Sequence, residues 1–143
     1  MRLIIAGSRS ITDYAVVRQG MIQSGLWKKY KQAIEVVCGM APGVDLLGLE
    51  FAKRNELSWY EYPADWDDIK APGAVIRTQP STGHMYNAAA GSWRNQDMAD
   101  NADGLLLLWD GVSKGSKDML AIARKKGLET YAYRCHAGRL FEI

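Results

Sequence analysis

Along the chain, short apolar runs alternate with stretches of helical period. Leu3-Ile4-Ile5-Ala6 is continuous, apolar and ends in Gly7, the pattern of a strand buried on both faces. Thr12 or Asp13 can cap a helix, and Tyr14, Val17 and Met21 recur at helical spacing toward Ser24-Gly25. Ile34 to Cys38 is rich in β-branched residues and predicts a second strand. It runs into Gly39-Met40-Ala41-Pro42-Gly43, and a helix is expected from Val44 to Lys53. Trp59 to Tyr62 predicts a third strand, stopped by Pro63. Residues 64–90 show no sustained period. With Pro63 just before them they account for three of the chain's four prolines. They predict a long excursion of the kind that serves as a lid or binding loop. Ser92 to Asn101 predicts a helix, and Leu105 to Trp109, the most apolar run, predicts a central strand. After the turn Ser113-Lys114-Gly115-Ser116, Lys117 to Lys126 predicts a helix with Met119, Ile122 and Ala123 inward, stopped by Gly127. Thr130 to Tyr133 predicts a fifth strand, and Arg139 to Ile143 a short edge strand. Strand and helix alternate throughout, so the expectation is α/β, with a mainly parallel sheet of about five strands and helices on both faces. No internal repeat or low-complexity segment interrupts the pattern, and 143 residues suit a single domain spanning residues 1–143.

Composition narrows the classes. Hydrophobic residues make up 48% of the chain, enough for a packed core, and charged residues 24%. The net charge of +2 is too small to mark a nucleic-acid binder, so nucleic acid is not expected as a partner. Cys38 and Cys135 lie far apart and show no zinc-ligand spacing; neither a disulfide framework nor a metal site is expected. No stretch approaches the length of a membrane span or a signal-peptide core, which leads to the expectation of a cytoplasmic protein.

Three strands end in small or glycine-rich turns that open helices: after Ala6, after Cys38 and after Trp109. In an open parallel sheet such turns share one edge, outside the carboxyl ends of the strands. Glycine lets main-chain N–H groups approach an anion, and each following helix adds free donors and partial positive charge. Arg9 and Lys114 bring positive charge to two of the turns. Phosphate suits this geometry. Neither a Walker loop nor a GxGxxG fingerprint is present.

Five blocks in order carry a resemblance over residues 3–127. They are Gly7-Ser8-Arg9 with Asp13, Val37 through Asp45, Tyr62-Pro63-Ala64-Asp65-Trp66, Ala90 through Met98, and Trp109 through Ser116. Together they resemble the signature of the SLOG superfamily, closest to its YspA-like branch, which is common in bacteria and their phages. The resemblance implies a Rossmann-like three-layer sandwich and a pocket for nucleotides or nucleotide-derived ligands, with no separate cofactor. Relatives include the LOG phosphoribohydrolases, which cleave base from ribose 5′-monophosphate, and DprA, which binds single-stranded DNA. Homo-oligomers are common among them, so a homo-oligomer is implied here. Met40 and Pro42 stand where the branch has a glycine and an arginine, which removes one phosphate contact. Arg94-Asn95 resembles the LOG Arg-Lys pair. Asp118 falls near the place of the LOG glutamate.

Candidate roles follow. Gly7, Ser8 and Arg9 would hold one side of the ligand, with Arg9 paired to phosphate. Gly39, Met40, Gly43 and Asp45 would form a second wall, with Asp45 accepting a ribose hydroxyl. Arg94 and Asn95 would bind phosphate, and Ser113, Gly115 and Ser116 would form the third phosphate-facing turn. Asp65 and Trp66 would close over the base, with Tyr86 and Trp93 as further stacking surfaces. His84 and His136 carry no assigned role. The leading expectation is a sensor or sequestering protein for a nucleotide-derived small molecule. One alternative is an N-glycosidic hydrolase acting on nucleoside monophosphates, with Arg94 and Asp118 catalytic and Asp45 or Asp110 as further acids. Another is single-stranded DNA binding, which requires a basic groove lined with aromatics.

Overall fold

The structure is a computed structural model describing residues 1–143. Its first strand, β1 (Arg2–Gly7), is followed by α1 (Tyr14–Gln23), a short α2 (Leu26–Tyr30) and a single 3-10 turn. Then come β2 (Glu35–Cys38), α3 (Val44–Arg54) and β3 (Trp59–Glu61). The excursion carries β4 (Ile76–Thr78) and β5 (Met85–Asn87). The chain closes with α4 (Ala90–Asp100), β6 (Gly104–Trp109), α5 (Lys114–Lys125), β7 (Glu129–His136) and β8 (Arg139–Glu142). Six strands form one sheet in the order β3-β2-β1-β6-β7-β8, parallel except for β8, which returns antiparallel beside β7.

Both faces of the sheet are covered. Leu3, Ile5, Val36, Cys38, Leu106 and Leu108 pack toward α1 and α3, while Ile4, Ala6, Val37, Leu105 and Leu107 pack toward α4 and α5. Adjacent residues of a strand point to opposite sides, so a strand covered twice must be apolar at every position. The four leucines of β6 are all 0% exposed. Each contributes about 1.5–3 kcal/mol through burial. The result is a Rossmann-like three-layer sandwich.

Two glycines set helix-to-sheet spacing. In α3, a Cβ on Gly48 would lie 2.8 Å from Cβ of Ile5. In α1, a Cβ on Gly20 would lie 3.1 Å from the Leu108 side chain. Asp13 caps α1 by accepting from the Ala15 amide at 3.0 Å. The Ser113 side chain caps α5 at its Ser116 amide.

The structure departs from the sequence expectation in four places. The excursion is not structureless: β4 and β5 pair antiparallel as a separate ribbon. The residues of β4 are all exposed, so no alternation reveals it. The turn Ser113 to Ser116 is mostly helix, because α5 starts at Lys114, right after its cap. α4 likewise starts two residues early, at Ala90. Finally, α2 was not anticipated; it buries only Leu26 and has too few turns for a period to show. Both cysteines are free. Burial, then the nearby Asp45 and Glu61 charges, push the Cys38 thiol up to about 12, leaving it inert. No helix is long and apolar enough to cross a membrane.

Candidate functional site

The chain builds outward from β1 through β2 to β3, then crosses back to β6 on the other side of β1. Strand order therefore reverses between β1 and β6, and the loops leaving their carboxyl ends diverge. A cleft of about 620 Å³ opens at this point, a size typical of small-molecule sites. The β1 loop gives it Gly7, Arg9 and Ser10. The β2 side gives Ala41 and Asp45. The β6 loop and the start of α5 give Asp110, Ser113, Lys114, Gly115, Ser116 and Asp118. The opposite wall is α4, with Gly91, Ser92, Arg94 and Asn95, and Trp66 stands at its side.

The loops are held by backbone contact. Gly7 pairs with Leu108, and a Cβ on Gly7 would lie 1.9 Å from the Leu108 carbonyl oxygen. Gly43, at φ +83°, lies so close to the β1 loop that a Cβ would sit 2.4 Å from the Ser8 carbonyl oxygen. That carbonyl accepts from the amides of Ile11 and Val44, each at 3.3 Å. The Ser8 side chain is 0% exposed, and its Oγ accepts from the Asp110 amide at 2.9 Å. These residues join the β1, β2 and β6 loops into one rim.

Asp45 and Arg94 form the polar floor. Gly39 separates them; a Cβ there would lie 2.5 Å from Asp45 Oδ2 and 2.8 Å from Arg94 Nη1. Arg94 Nη1 donates to the Gly39 carbonyl, and its Nε donates to Asn95 Oδ1 at 3.0 Å. The Ala41 amide donates to Asp45 Oδ2 at 3.2 Å. Burial raises the Asp45 pKa to about 6, against the opposing pull of Arg94, the Ala41 and Gly7 amides and Arg9. Burial also lowers the Arg94 pKa, opposed by Asp45 and aided by Arg9. Across the cleft, Asp118 accepts from Ser92 Oγ at 3.3 Å and Asn95 Nδ2 at 3.0 Å, tying α5 to α4.

Protein acceptors occupy part of the three amide cradles expected from the sequence. The Ala41 amide is taken by Asp45, and the Val44 amide by Ser8. The amides of Val112 and Ser113 both donate to Asp110 Oδ1 at 2.8 Å, and Ser10 Oγ donates to its Oδ2 at 2.9 Å. Burial pushes the Asp110 pKa up, but these bonds outweigh it and hold the carboxyl below its usual range. Carboxylates of the protein thus take donors of the second cradle and of the front of the third. At the start of α5, by contrast, the Lys114 and Gly115 amides donate to no protein atom. A Cβ on Gly115 would meet nothing within 4 Å. Arg9, Arg94 and Lys114 make no ion pair. The cleft therefore offers two open amides at the positive end of a twelve-residue helix, beside Arg9, Lys114 and an Arg94 whose guanidinium also bonds Gly39 and Asn95.

Of the residues singled out in the sequence, Gly7, Arg9, Asp45, Trp66, Arg94, Asn95, Ser113, Gly115, Ser116 and Asp118 line the cleft. Ser8, Gly39 and Gly43 lie behind it and shape its rim. Met40, at φ +64°, packs against the core cluster under α3. Asp65 is exposed and lines a smaller neighbouring cavity with Arg94 and Trp93. Sequence reasoning missed Ser10 and Ser92 as lining residues, and it weighed Asp110 as an acid rather than a turn former. An Asp directly after a strand, two and three residues before free amides, was the available signal for that turn.

These features define a class: a Rossmann-like α/β protein with a polar, cation-bearing cleft at the switch point of its sheet. Among solved structures, the chain is similar to DNA processing protein A (DprA) from Streptococcus pneumoniae, with a TM-score of 0.62 and 19% identity. The match covers 95% of this chain and 51% of that one, so the chain spans about half the length of its structural neighbour. No family model matches the chain, and no curated protein does.

Proposed function

We propose that the cleft binds a nucleotide or nucleotide-derived small molecule by its phosphate, and that the protein acts as a sensor or sequestering protein. The open Lys114 and Gly115 amides beside unpaired Arg9, Arg94 and Lys114 carry this reading. Phosphate takes main-chain donors and guanidinium forks together. Asp45, Asp110 and Asp118 offset this positive charge in part, but their bonded oxygens are turned to protein donors, so the open amides mark the place for an anion. The ordered SLOG-like blocks favour the same ligand class, and the fold shared with DprA is consistent with nucleotide or DNA-related binding. The neighbour's name places it in DNA processing, so the comparison lends no support to excluding nucleic acid.

Titration calorimetry with AMP, GMP and ribose 5-phosphate tests this. Saturable binding is expected. Arg94→Ala is expected to weaken it by about 2 kcal/mol, roughly 30-fold, through loss of a charged hydrogen bond. Binding of a single-stranded oligonucleotide with steep salt dependence, and of none of these compounds, would replace this reading with the nucleic-acid one.

One observation favours a second reading, N-glycosidic hydrolysis. Asp45 lines the cleft with a pKa near 6, where a carboxyl can exchange protons at neutral pH. Chromatography of the same mixtures for released base decides it: free base means an enzyme, and intact nucleotide with retained binding means a binding protein.

A further inference from the structure

A second cavity of about 370 Å³ adjoins the cleft and shares Arg9 and Trp66 with it. Its other walls come from the excursion: Asp67, Gln79, His84 and Tyr86. Trp66 and Tyr86 meet edge to face, centroids 6.3 Å apart at 70°. Trp66 is pinned from both sides. Its carbonyl accepts from the Asn87 amide at 2.7 Å, and a Cβ on Gly91 would lie 2.8 Å from its ring. The Trp66 ring stands at the boundary between the two spaces.

The polar groups of this cavity have a defined sense. Gln79 Oε1 accepts from Thr82 Oγ1 at 3.3 Å, which leaves the Gln79 side-chain amide as a free donor. The Gln79 amide nitrogen donates to the His84 carbonyl at 2.8 Å, so the hairpin holds these two residues side by side. Asp67 Oδ1 pairs with His84 Nε2 at 3.0 Å, and Oδ2 has no partner. The cavity thus presents a carboxylate acceptor and an amide donor next to an aromatic wall, with Arg9 between it and the phosphate-facing cleft.

We propose that this outer cavity is a base subsite selecting a purine with an exocyclic amino group, the amino group donating to Asp67 and a ring or carbonyl acceptor receiving from Gln79. The proposal rests on the phosphate-binding reading of the main cleft and names the ligand's other end. A flat heterocycle fits an aromatic wall. An edge placing an N–H donor beside an acceptor fits the Asp67 and Gln79 pair. A hydrogen bond to a charged acceptor favours the base that can make it over one that cannot. Unsubstituted purine is the informative analogue, because it lacks the exocyclic amino group and, unlike hypoxanthine, has no N1–H to donate on the same edge.

The test is calorimetric titration of the whole protein with AMP, GMP, purine riboside 5′-monophosphate and ribose 5-phosphate, repeated for the three nucleotides with Asp67→Ala. The Asp67 side chain is 82% exposed, so this variant folds normally. AMP or GMP is expected to bind at least tenfold more tightly than purine riboside 5′-monophosphate, and Asp67→Ala is expected to bring the nucleotides within threefold of one another. Equal binding of all three, or a preference that survives Asp67→Ala, overturns the base subsite. If ribose 5-phosphate binds as well as any nucleotide, the phosphate reading stands and this proposal falls. If no phosphate compound binds, both fall.

Discussion

Gly7→Ala is expected to lower folding stability by about 3 kcal/mol or more, at the upper end of what overpacking costs. The new methyl would meet the Leu108 carbonyl oxygen at 1.9 Å, which is main chain and cannot rotate away. Relief requires β1 and β6 to separate at their carboxyl ends, where Gly7 pairs with Leu108 and where the Ser8 amide donates to the same carbonyl at 3.0 Å. That is the pivot of the switch crevice, so the damage falls on fold and cleft together. Gly115→Ala is the control. Its Cβ would meet nothing within 4 Å, and alanine in a helix gains about 0.5–1 kcal/mol over glycine. Urea denaturation of the two variants beside the parent measures both. Equal midpoints for Gly7→Ala and the parent would mean that the two strands do not pair as described.

Asp45→Asn is expected to stabilise the protein at pH 8 and to lose that advantage as the pH falls toward 4. The folded state raises the Asp45 pKa from 3.8 to about 6, chiefly by burial. Between those values the folded protein binds a proton that the unfolded chain has released. The stability this proton confers is fully present below about pH 4 and is lost as pH rises through about 6. Above that, the buried carboxylate costs about 3 kcal/mol relative to its neutral form. The amide of asparagine carries no such charge, so the variant is more stable than the parent by up to about 3 kcal/mol at pH 8. Arg94 then lacks its nearby anion, which trims the gain. Denaturation of parent and variant at pH 4, 6 and 8 gives the difference directly; a difference independent of pH would mean that Asp45 titrates as an ordinary surface acid. The charge sits in the cleft at this cost, as is common where a site trades stability for function.

β1, β2 and β6 were legible in the chain because a strand covered on both faces has no choice of residue. Leu3 to Ala6, Val36 to Cys38 and Leu105 to Leu108 had to be apolar throughout. The turns that follow were legible as glycine-rich, and most candidate residues do come together at one edge of the sheet. The β4–β5 ribbon was not, since exposed three-residue strands impose no alternation. Nor were the partners His84 and Asp67, which are separated by 17 residues.

Local sequence, then, determined which segments become strands and helices and which loops carry glycine and charge, because burial and backbone sterics act residue by residue. Asp45 and Asp110 take amides two to four residues away in their own loops, which is a local matter. Only the tertiary structure brought the Ser8 carbonyl to the Val44 amide and gathered the open Lys114 and Gly115 amides with Arg9 and Arg94 around one cleft. Residues from separate loops can serve one ligand only where the sheet brings them together, and that is settled in space rather than along the chain.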